Sequence, residues 1–196
     1  MIAVGITGCV TVKPAWSPQP LLLDNRAKQV KILIYKFEDK SKVDKRYTIY
    51  DNNKLLKLRE GTRQEMFSKS LIEAFTQDGF VLEDKTNEIF QKYVFITPNS
   101  IPTLIVTGEI KLFEAYTFPG IGPAYGHVIT EVSILDGSNK EKLWEGLVDE
   151  RCGESGFGVA NMFVAKKNAF ICLDYALKKV ANEIENKVFI FLQTIK

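Results

Sequence analysis

The sequence predicts an α+β fold with two layers, in which a mixed sheet of about five strands is packed by two amphipathic helices. Three observations predict this class. The segment 29–37 carries β-branched and aromatic residues on both of its faces, which is typical of an inner strand covered on both sides. Residues 127–135 and 141–151 read as strands joined by the turn residues of 136–140, which makes a C-terminal antiparallel hairpin. Two further segments carry apolar stripes at helical spacing.

The first helix is predicted from its two ends. Thr62 and Glu65 have the spacing of a capping box, in which each side chain accepts a hydrogen bond from the backbone N–H of the other residue. Gly79 stands where a C-terminal cap belongs. The apolar stripe between these ends consists of Phe67, Leu71, Ala74 and Phe75. The short segment 80–84 then reads as a second strand.

The C-terminal helix is the longest predicted element, and its polar residues indicate that it lies on the sheet. Its apolar stripe consists of Phe170, Leu173, Leu177, Val180, Ile184 and Val188. The polar residues that fall largely outside this stripe are Lys178, Lys179, Glu183 and Glu185. Segment 188–195 either continues the helix or forms a last strand.

A third strand is predicted at 103–113, ahead of the hairpin. Alternation places Leu104, Val106, Ile110 and Leu112 on one face together with Gly108. A glycine inside a strand indicates a bulge or a close approach by a helix. The polar segment 38–54 is predicted as a long loop with room for a short strand. Since no repeat or low-complexity tract divides the rest, we treat 28–196 as a single domain.

The residues before the domain indicate export and anchoring. Residues 6–9 match a bacterial lipobox, in which two small residues precede a cysteine, Cys9, that takes a lipid. Residues 10–20 contain three prolines, which disfavour both helix and strand. We therefore interpret 1–9 as part of a lipoprotein signal and 10–27 as a proline-rich tether, whose leucines at 21–23 dock its end onto the domain.

A second interpretation of the start remains open, namely an apolar N-terminal strand with a buried cysteine. The proline-rich segment favours the lipobox. Only eight residues precede Cys9 and none is basic, whereas an export signal has a basic region and a longer apolar region. We expect that translation starts upstream of Met1 and that Cys9 is the mature N-terminus.

Composition excludes several classes of function. A net charge of +2 and a pI near 8.3 are too mild to indicate a nucleic-acid partner. One histidine, His127, and three cysteines without C-x-x-C spacing give no zinc site. Asp149 and Glu150 are neighbours in a strand, so they point to opposite faces and do not suit paired acid–base catalysis. We expect no metal, no cofactor and no enzymatic activity.

Two glycine-rich loops, 115–126 and 153–163, are candidates for an interaction surface. The topology predicts that both leave the sheet at the end opposite the 136–140 turn, and clustered exposed apolar residues mark binding sites. Together they would present Tyr116, Phe118, Ile121, Tyr125, Phe157 and Met162. The alternative is that these side chains fold back onto the core and the glycines only permit turns.

The two cysteines that remain without Cys9 are candidates for a disulfide. Cys152 is predicted in a loop and Cys172 outside the apolar stripe of its helix. An even number of cysteines in an oxidising compartment favours a bridge, which would contribute about 3 kcal/mol by the chain-entropy estimate. Two separate thiols are the alternative.

Several local phrases carry a family resemblance. They are "ILIYKFEDKS" (32–41), a helix ending in "GF" (79–80), "LIVTGEI" (104–110) and "SILDGSNKEKLWEG" (133–146), followed by a final amphipathic helix. Over about residues 28–187 the chain resembles the small envelope lipoproteins of Gram-negative bacteria typified by YajG. That group shares its architecture with ABC-transport-auxiliary lipoproteins, CsgG, the N-terminal domain of TolB and LpoB.

The resemblance implies a lipid anchor and no catalytic residues. It implies an outer-membrane, periplasm-facing location, because Val10 rather than aspartate follows Cys9. We expect a non-catalytic binding or assembly module of the envelope that acts through protein–protein contacts. Its partner is an envelope protein or a second copy in a homo-oligomer. The alternative is a small-molecule or lipid-binding auxiliary protein of an envelope transporter, with a cleft under the 115–126 loop.

Overall fold

The structure, a computed structural model, describes residues 21, 29–41, 43–50, 54–58, 61–91, 101–117, 124–153 and 162–194. Its strands are β1 (Lys31–Tyr35), β2 (Glu38–Asp39), β3 (Tyr47–Tyr50), β4 (Lys54–Lys57), β5 (Val81–Lys85), β6 (Thr103–Thr117), β7 (Ala124–Asp136) and β8 (Lys142–Gly153). Its helices are α1 (Arg63–Gln77) and α2 (Met162–Thr194). These elements confirm the predicted α+β class.

The described strands form one mixed sheet around β6. The main path runs β4-β3-β6-β1-β5, while β2 and β7 also pair with β6, and β8 pairs with β7. Strand β1 is parallel to both β5 and β6, whereas β6, β7 and β8 form an antiparallel meander. Residues 32–35 are buried, which confirms the prediction of an inner strand covered on both faces.

Helix α1 has the predicted ends and stripe. Thr62 and Glu65 form a complete capping box, and the predicted apolar stripe is buried. Asp78 is the C-cap, and the next residue, Gly79, has a φ of +84°, a left-handed conformation that glycine adopts without steric cost.

A buried ion pair, not expected from the sequence, holds the segment before α1. Arg63 and Asp39 are each 1% exposed, and both Nε and Nη2 of Arg63 lie 2.8 Å from Asp39 Oδ2. The guanidinium also donates to the carbonyl oxygens of Val43, Asp44 and Tyr47. The polar segment 38–54, predicted as a long loop with room for a short strand, contains β2, β3 and the start of β4, and these bonds hold part of it against the start of α1.

Helix α2 covers one face of the β6–β8 meander. Its predicted stripe is buried, and the helix continues to Thr194, which decides between the two predictions for 188–195. A Cβ atom built on Gly126 of β7 would lie 2.3 Å from the backbone of Leu173. The helix therefore rests directly on β7 at Gly126, where no side chain fits between them.

Three details of the predicted strands are wrong for identifiable reasons. Strand β6 extends four residues beyond 113, β7 begins three residues before 127, and β8 extends two residues beyond 151. Small residues such as Ala115, Ala124 and Gly126 allow the sheet to continue beneath α2. Leu112 is not on the face of Ile110, because a β-bulge between them shifts the register. Gly108 accommodates the Phe37 ring and the β7 backbone rather than a helix.

Candidate interaction surface

The three strands of the meander converge at one end of the sheet. Thr117 pairs with Ala124 and Tyr125 pairs with Gly153, so the end of β6, the start of β7 and the end of β8 lie side by side. We call this the loop end. The 136–140 turn lies at the other end, the turn end, where Leu104 pairs with Asp136. The loops 115–126 and 153–163 were predicted to leave the sheet opposite that turn; their described residues Thr117, Ala124 and Gly153 lie at the loop end, and 118–123 and 154–161 lie outside the described residues.

Two of the predicted surface residues, Tyr116 and Tyr125, form a stacked pair at the loop end. They are direct cross-strand partners, and their ring centroids are 4.9 Å apart with 24° between the planes. Because Gly126 faces α2 and side chains alternate along a strand, Tyr125 lies on the opposite, distal face of the sheet. Both rings are partly buried. Burial, and then the charge of Glu114, raises the pKa of Tyr125.

The structure does not describe the side chains of the other four predicted surface residues. Phe118, Ile121 and Phe157 lie outside the described residues, as does the proposed lipidation site Cys9. Met162 is the first residue of α2, and its side chain is outside what the structure describes. The observed part of the predicted surface is therefore the tyrosine pair.

A histidine–aspartate contact adjoins the tyrosine pair. His127 Nε2 lies 2.7 Å from Asp149 Oδ1 and faces the N–H of Arg151 Nε, so it donates to the aspartate in one tautomer and accepts from the arginine in the other. Arg151 Nε lies 3.2 Å from the same histidine nitrogen and 4.0 Å from Asp149 Oδ1. The imidazole is almost fully enclosed, with 6% of His127 exposed, whereas Asp149 and Arg151 are exposed.

This contact was not predicted, because His127 is the single histidine of the sequence and no local spacing links it to a carboxylate. In the structure His127 pairs with Arg151 and Ile129 with Asp149, so Asp149 is a diagonal neighbour of His127 on the same face. A register shift between Ile134 and Leu135 moves this pairing by one residue from a simple count outward from the 136–140 turn. The expectation that Asp149 and Glu150 point to opposite faces holds, since Glu150 is within 3.6 Å of Lys179 on α2.

The rest of the distal face differs in character from the loop end. Toward the turn end, Phe90 packs against a small buried cluster of Leu33, Tyr35, Ile105 and Leu135. The middle carries ion pairs, in which Lys111 Nζ is 2.6 Å from Glu131 Oε2 and its pKa is raised by hydrogen bonds to Glu109 and Glu131. We use the name tyrosine surface for Tyr116, Tyr125, His127, Asp149 and Arg151.

No other described region has the chemistry of a specific site. A groove of about 580 Å³ beside the start of α1 mixes lysines with carboxylates, so it favours ions of neither sign; its charged residues are Lys36, Lys45, Lys69, Glu65, Glu73 and Asp84. Within the described residues, no cluster of three His, Cys, Asp or Glu side chains could bind a metal ion. Neither described helix combines the length and the apolar composition that crossing a bilayer requires.

Both predicted cysteine positions need correction. Cys152 lies in β8 rather than in a loop, because β8 continues to Gly153, and Cys172 is buried with 0% exposure rather than outside the stripe. Both are thiols in the structure, and the Cys172 thiol donates to the Ala124 carbonyl oxygen at 3.4 Å. They are near neighbours, since Gly126 pairs with Cys152 and adjoins the Cys172 backbone. Their bridge stays a prediction, which a thiol count on denatured, unreduced protein tests.

Comparison with known proteins identifies the fold. No family model matches the chain, and no curated protein matches its sequence. Among solved structures it is similar to protein XCC0632 from Xanthomonas campestris, of family DUF330, with a TM-score of 0.59, 14% identity and coverage of 92% of this chain and 95% of that one. At this identity the likeness shows the fold alone.

Two further solved structures have lower similarity. A minor lipoprotein from Acinetobacter baumannii has a TM-score of 0.47 and 10% identity, covering 82% of this chain and 90% of that one. PelC from Paraburkholderia phytofirmans, described as a dodecamer, has a TM-score of 0.43 and 11% identity, covering 85% of this chain and 95% of that one.

Proposed function

We propose that this chain is a lipid-anchored binding or assembly module of the bacterial envelope, that it is not an enzyme, and that it contacts an envelope protein through the tyrosine surface. The observation that carries the proposal is the stacked pair of Tyr116 and Tyr125 on the face that α2 does not cover. Large rings with polar tips are enriched in protein interfaces, because one side chain supplies both apolar area and hydrogen bonds.

The neighbouring charges suit recognition better than catalysis. Arg151 is 69% exposed by side chain and Asp149 is 45% exposed, so both are available at the rim of an interface. His127 is enclosed and its Nε2 is already bonded to Asp149, which leaves that nitrogen no access to a substrate proton. The histidine therefore acts as a support that orients Asp149.

The anchoring part of the proposal comes from the sequence. Residues 6–9 match a lipobox and the prolines behind Cys9 supply a spacer. Acyl chains on Cys9 would hold the domain at the membrane, since each buried methylene contributes about 0.8 kcal/mol and several chains add up. Val10 after Cys9 favours the outer membrane, facing the periplasm.

Site-specific photocrosslinking tests the surface. A photoreactive phenylalanine derivative replaces Tyr125 in the full chain, expressed in the envelope, and Ile190, an α2 residue that is 51% exposed, is the control position. We expect a discrete crosslinked product from position 125 and none from position 190. A product of two identical chains assigns the surface to a homo-oligomer, while equal, diffuse labelling from both positions contradicts the proposal.

Substitution of the tyrosine pair provides the second test. Tyr116→Ser combined with Tyr125→Ser should abolish co-purification of the crosslinked partner. Because the rings are only partly buried, the free energy of unfolding should fall by no more than about 1–2 kcal/mol. A larger loss, comparable to that from truncating a buried aromatic side chain, would show that the rings belong to the core instead.

A further inference from the structure

Two acidic side chains meet between the helices near the turn end of the sheet. Asp78 is the C-cap of α1, and Glu185 of α2 is 1% exposed. Glu185 Oε1 has no hydrogen-bond partner among the described residues, yet its carboxyl group is within hydrogen-bonding reach of Asp78. Burial, and then the charge of Asp78, raises the pKa of Glu185 to about 8. This shift favours the protonated form of Glu185 at neutral pH, which carries no charge beside Asp78.

The same Asp78 carboxylate binds the chain ahead of the domain. The backbone N–H of Leu21 donates to Asp78 Oδ2 at 2.8 Å, across 57 positions of sequence. The Leu21 side chain packs against the main hydrophobic core. Leu21 directly follows Pro20, the last proline of the predicted tether. The Asp78 carboxylate thus lies between a buried carboxyl group on α2 and a backbone donor of the N-terminal segment.

We propose that Asp78 and Glu185 form a docking site for the N-terminal segment at Leu21, and that this site fixes the end of the domain from which the membrane tether leaves. The proposal deepens the proposed function and rests on it for the lipid at Cys9. A protonated Glu185 adds no negative charge beside Asp78, so the two carboxyl groups do not repel each other. Asp78 Oδ2 accepts the hydrogen bond from the Leu21 N–H.

The docking site lies at the opposite end of the sheet from the tyrosine surface. Lys31 pairs with both Val81, just beyond Asp78, and Thr103, the first residue of β6. Tyr116 lies near the other end of the same strand, which at about 3.3 Å per residue is about 40 Å away. Leu21 is therefore held at the turn end, and under this proposal the domain is expected to present its tyrosine surface away from the membrane.

Hydrogen exchange of the Leu21 amide in the full chain tests the docking bond. We expect a protected amide in the wild type and at least tenfold faster exchange in Asp78→Ala. Glu73→Ala, which removes an exposed carboxylate of the same helix, is the matched control and should leave the rate unchanged. Glu185→Gln keeps an uncharged side chain of similar size beside Asp78 and should retain the protection. An unprotected Leu21 amide in the wild type, or protection that survives Asp78→Ala, overturns the proposal.

Energy transfer to acceptor lipids tests the orientation. The lipidated full chain is placed in vesicles with a dye on Ile101→Cys at the turn end or on Arg151→Cys at the loop end. We expect stronger energy transfer from position 101 than from position 151. The difference between these two positions should be smaller in Leu21→Pro, which lacks the docking N–H, than in Leu22→Pro. Equal transfer from both positions overturns the orientation. Crosslinking at position 125 is measured separately, so a result that contradicts the docking site does not by itself contradict the proposed function.

Discussion

At the scale of single residues, the sequence located apolar side chains better than buried charges. Glu185 was predicted outside the apolar stripe of α2, and the structure buries it against Asp78. No charged partner was predicted for Arg63 or Asp39, yet they form a buried ion pair. A stripe argument considers one helix alone, whereas the burial of a charge depends on which partner another element brings to it.

Glu185 predicts a dependence of stability on pH. Its pKa is raised to about 8 in the folded protein from 4.5, so the folded state binds one more proton than the unfolded state between these values. The free energy of unfolding should therefore fall as pH rises from 5 to 8, by up to about 1.4 kcal/mol per pH unit. Urea denaturation at several pH values measures this. Glu185→Gln should flatten the slope, and an unchanged slope in that variant contradicts the assignment.

The ion pair of Arg63 predicts a sharp contrast between two aspartates. Asp39→Asn leaves a buried cation without its counter-charge and should lower the free energy of unfolding by about 3–5 kcal/mol. Asp44 pairs with Arg46 at the surface, so Asp44→Asn should change stability little. Chemical denaturation of both variants measures the contrast, and equal effects would show that burial does not decide the strength of the pair.

At the scale of elements, local patterns predicted helices well and strand limits less well. The capping box and the two apolar stripes are confirmed because they depend on residues within a few turns of each other. The bulge between Ile110 and Leu112 was not predicted, since it arises from the pairing of β6 with β7. The ends of β6–β8 were underestimated because α2 rests on small residues there, which carry a weak strand signal.

The contact of α2 with the sheet predicts a strong effect at one glycine. Gly126→Ala should lower the free energy of unfolding by about 1–3 kcal/mol, because its Cβ would lie 2.3 Å from the backbone of α2. Gly126 does not have a left-handed backbone, so the cost comes from the contact. Gly153→Ala is the comparison: its Cβ would meet Tyr125 Cβ at 3.2 Å, which a small shift of that side chain relieves, so a smaller loss is expected. Thermal unfolding measures both, and a neutral Gly126→Ala contradicts the packing.

At the scale of the whole molecule, the candidate site was predicted in part. The hairpin topology placed Tyr116 and Tyr125 at one end of the sheet, and the structure stacks them. The support from His127 and Asp149 was missed, because a diagonal contact appears only when the register of two strands is known. The docking of Leu21 was expected from its position after the prolines, but its partner Asp78 is 57 positions away and no local pattern indicates it.

Lipidation at Cys9 would hold the domain at the membrane. Growth with a clickable fatty acid should label the wild-type chain, expressed from its complete gene, and Cys9→Ala should lose the label. Cys152→Ala and Cys172→Ala are the controls and should keep it, because both thiols are buried in the folded domain. Lipidation at Cys9 leaves residues 10–20 between the lipid and the docked Leu21, about 36 Å of fully extended chain. Label that persists in Cys9→Ala would contradict lipidation at Cys9. It would not contradict the proposal that the tyrosine surface binds a partner.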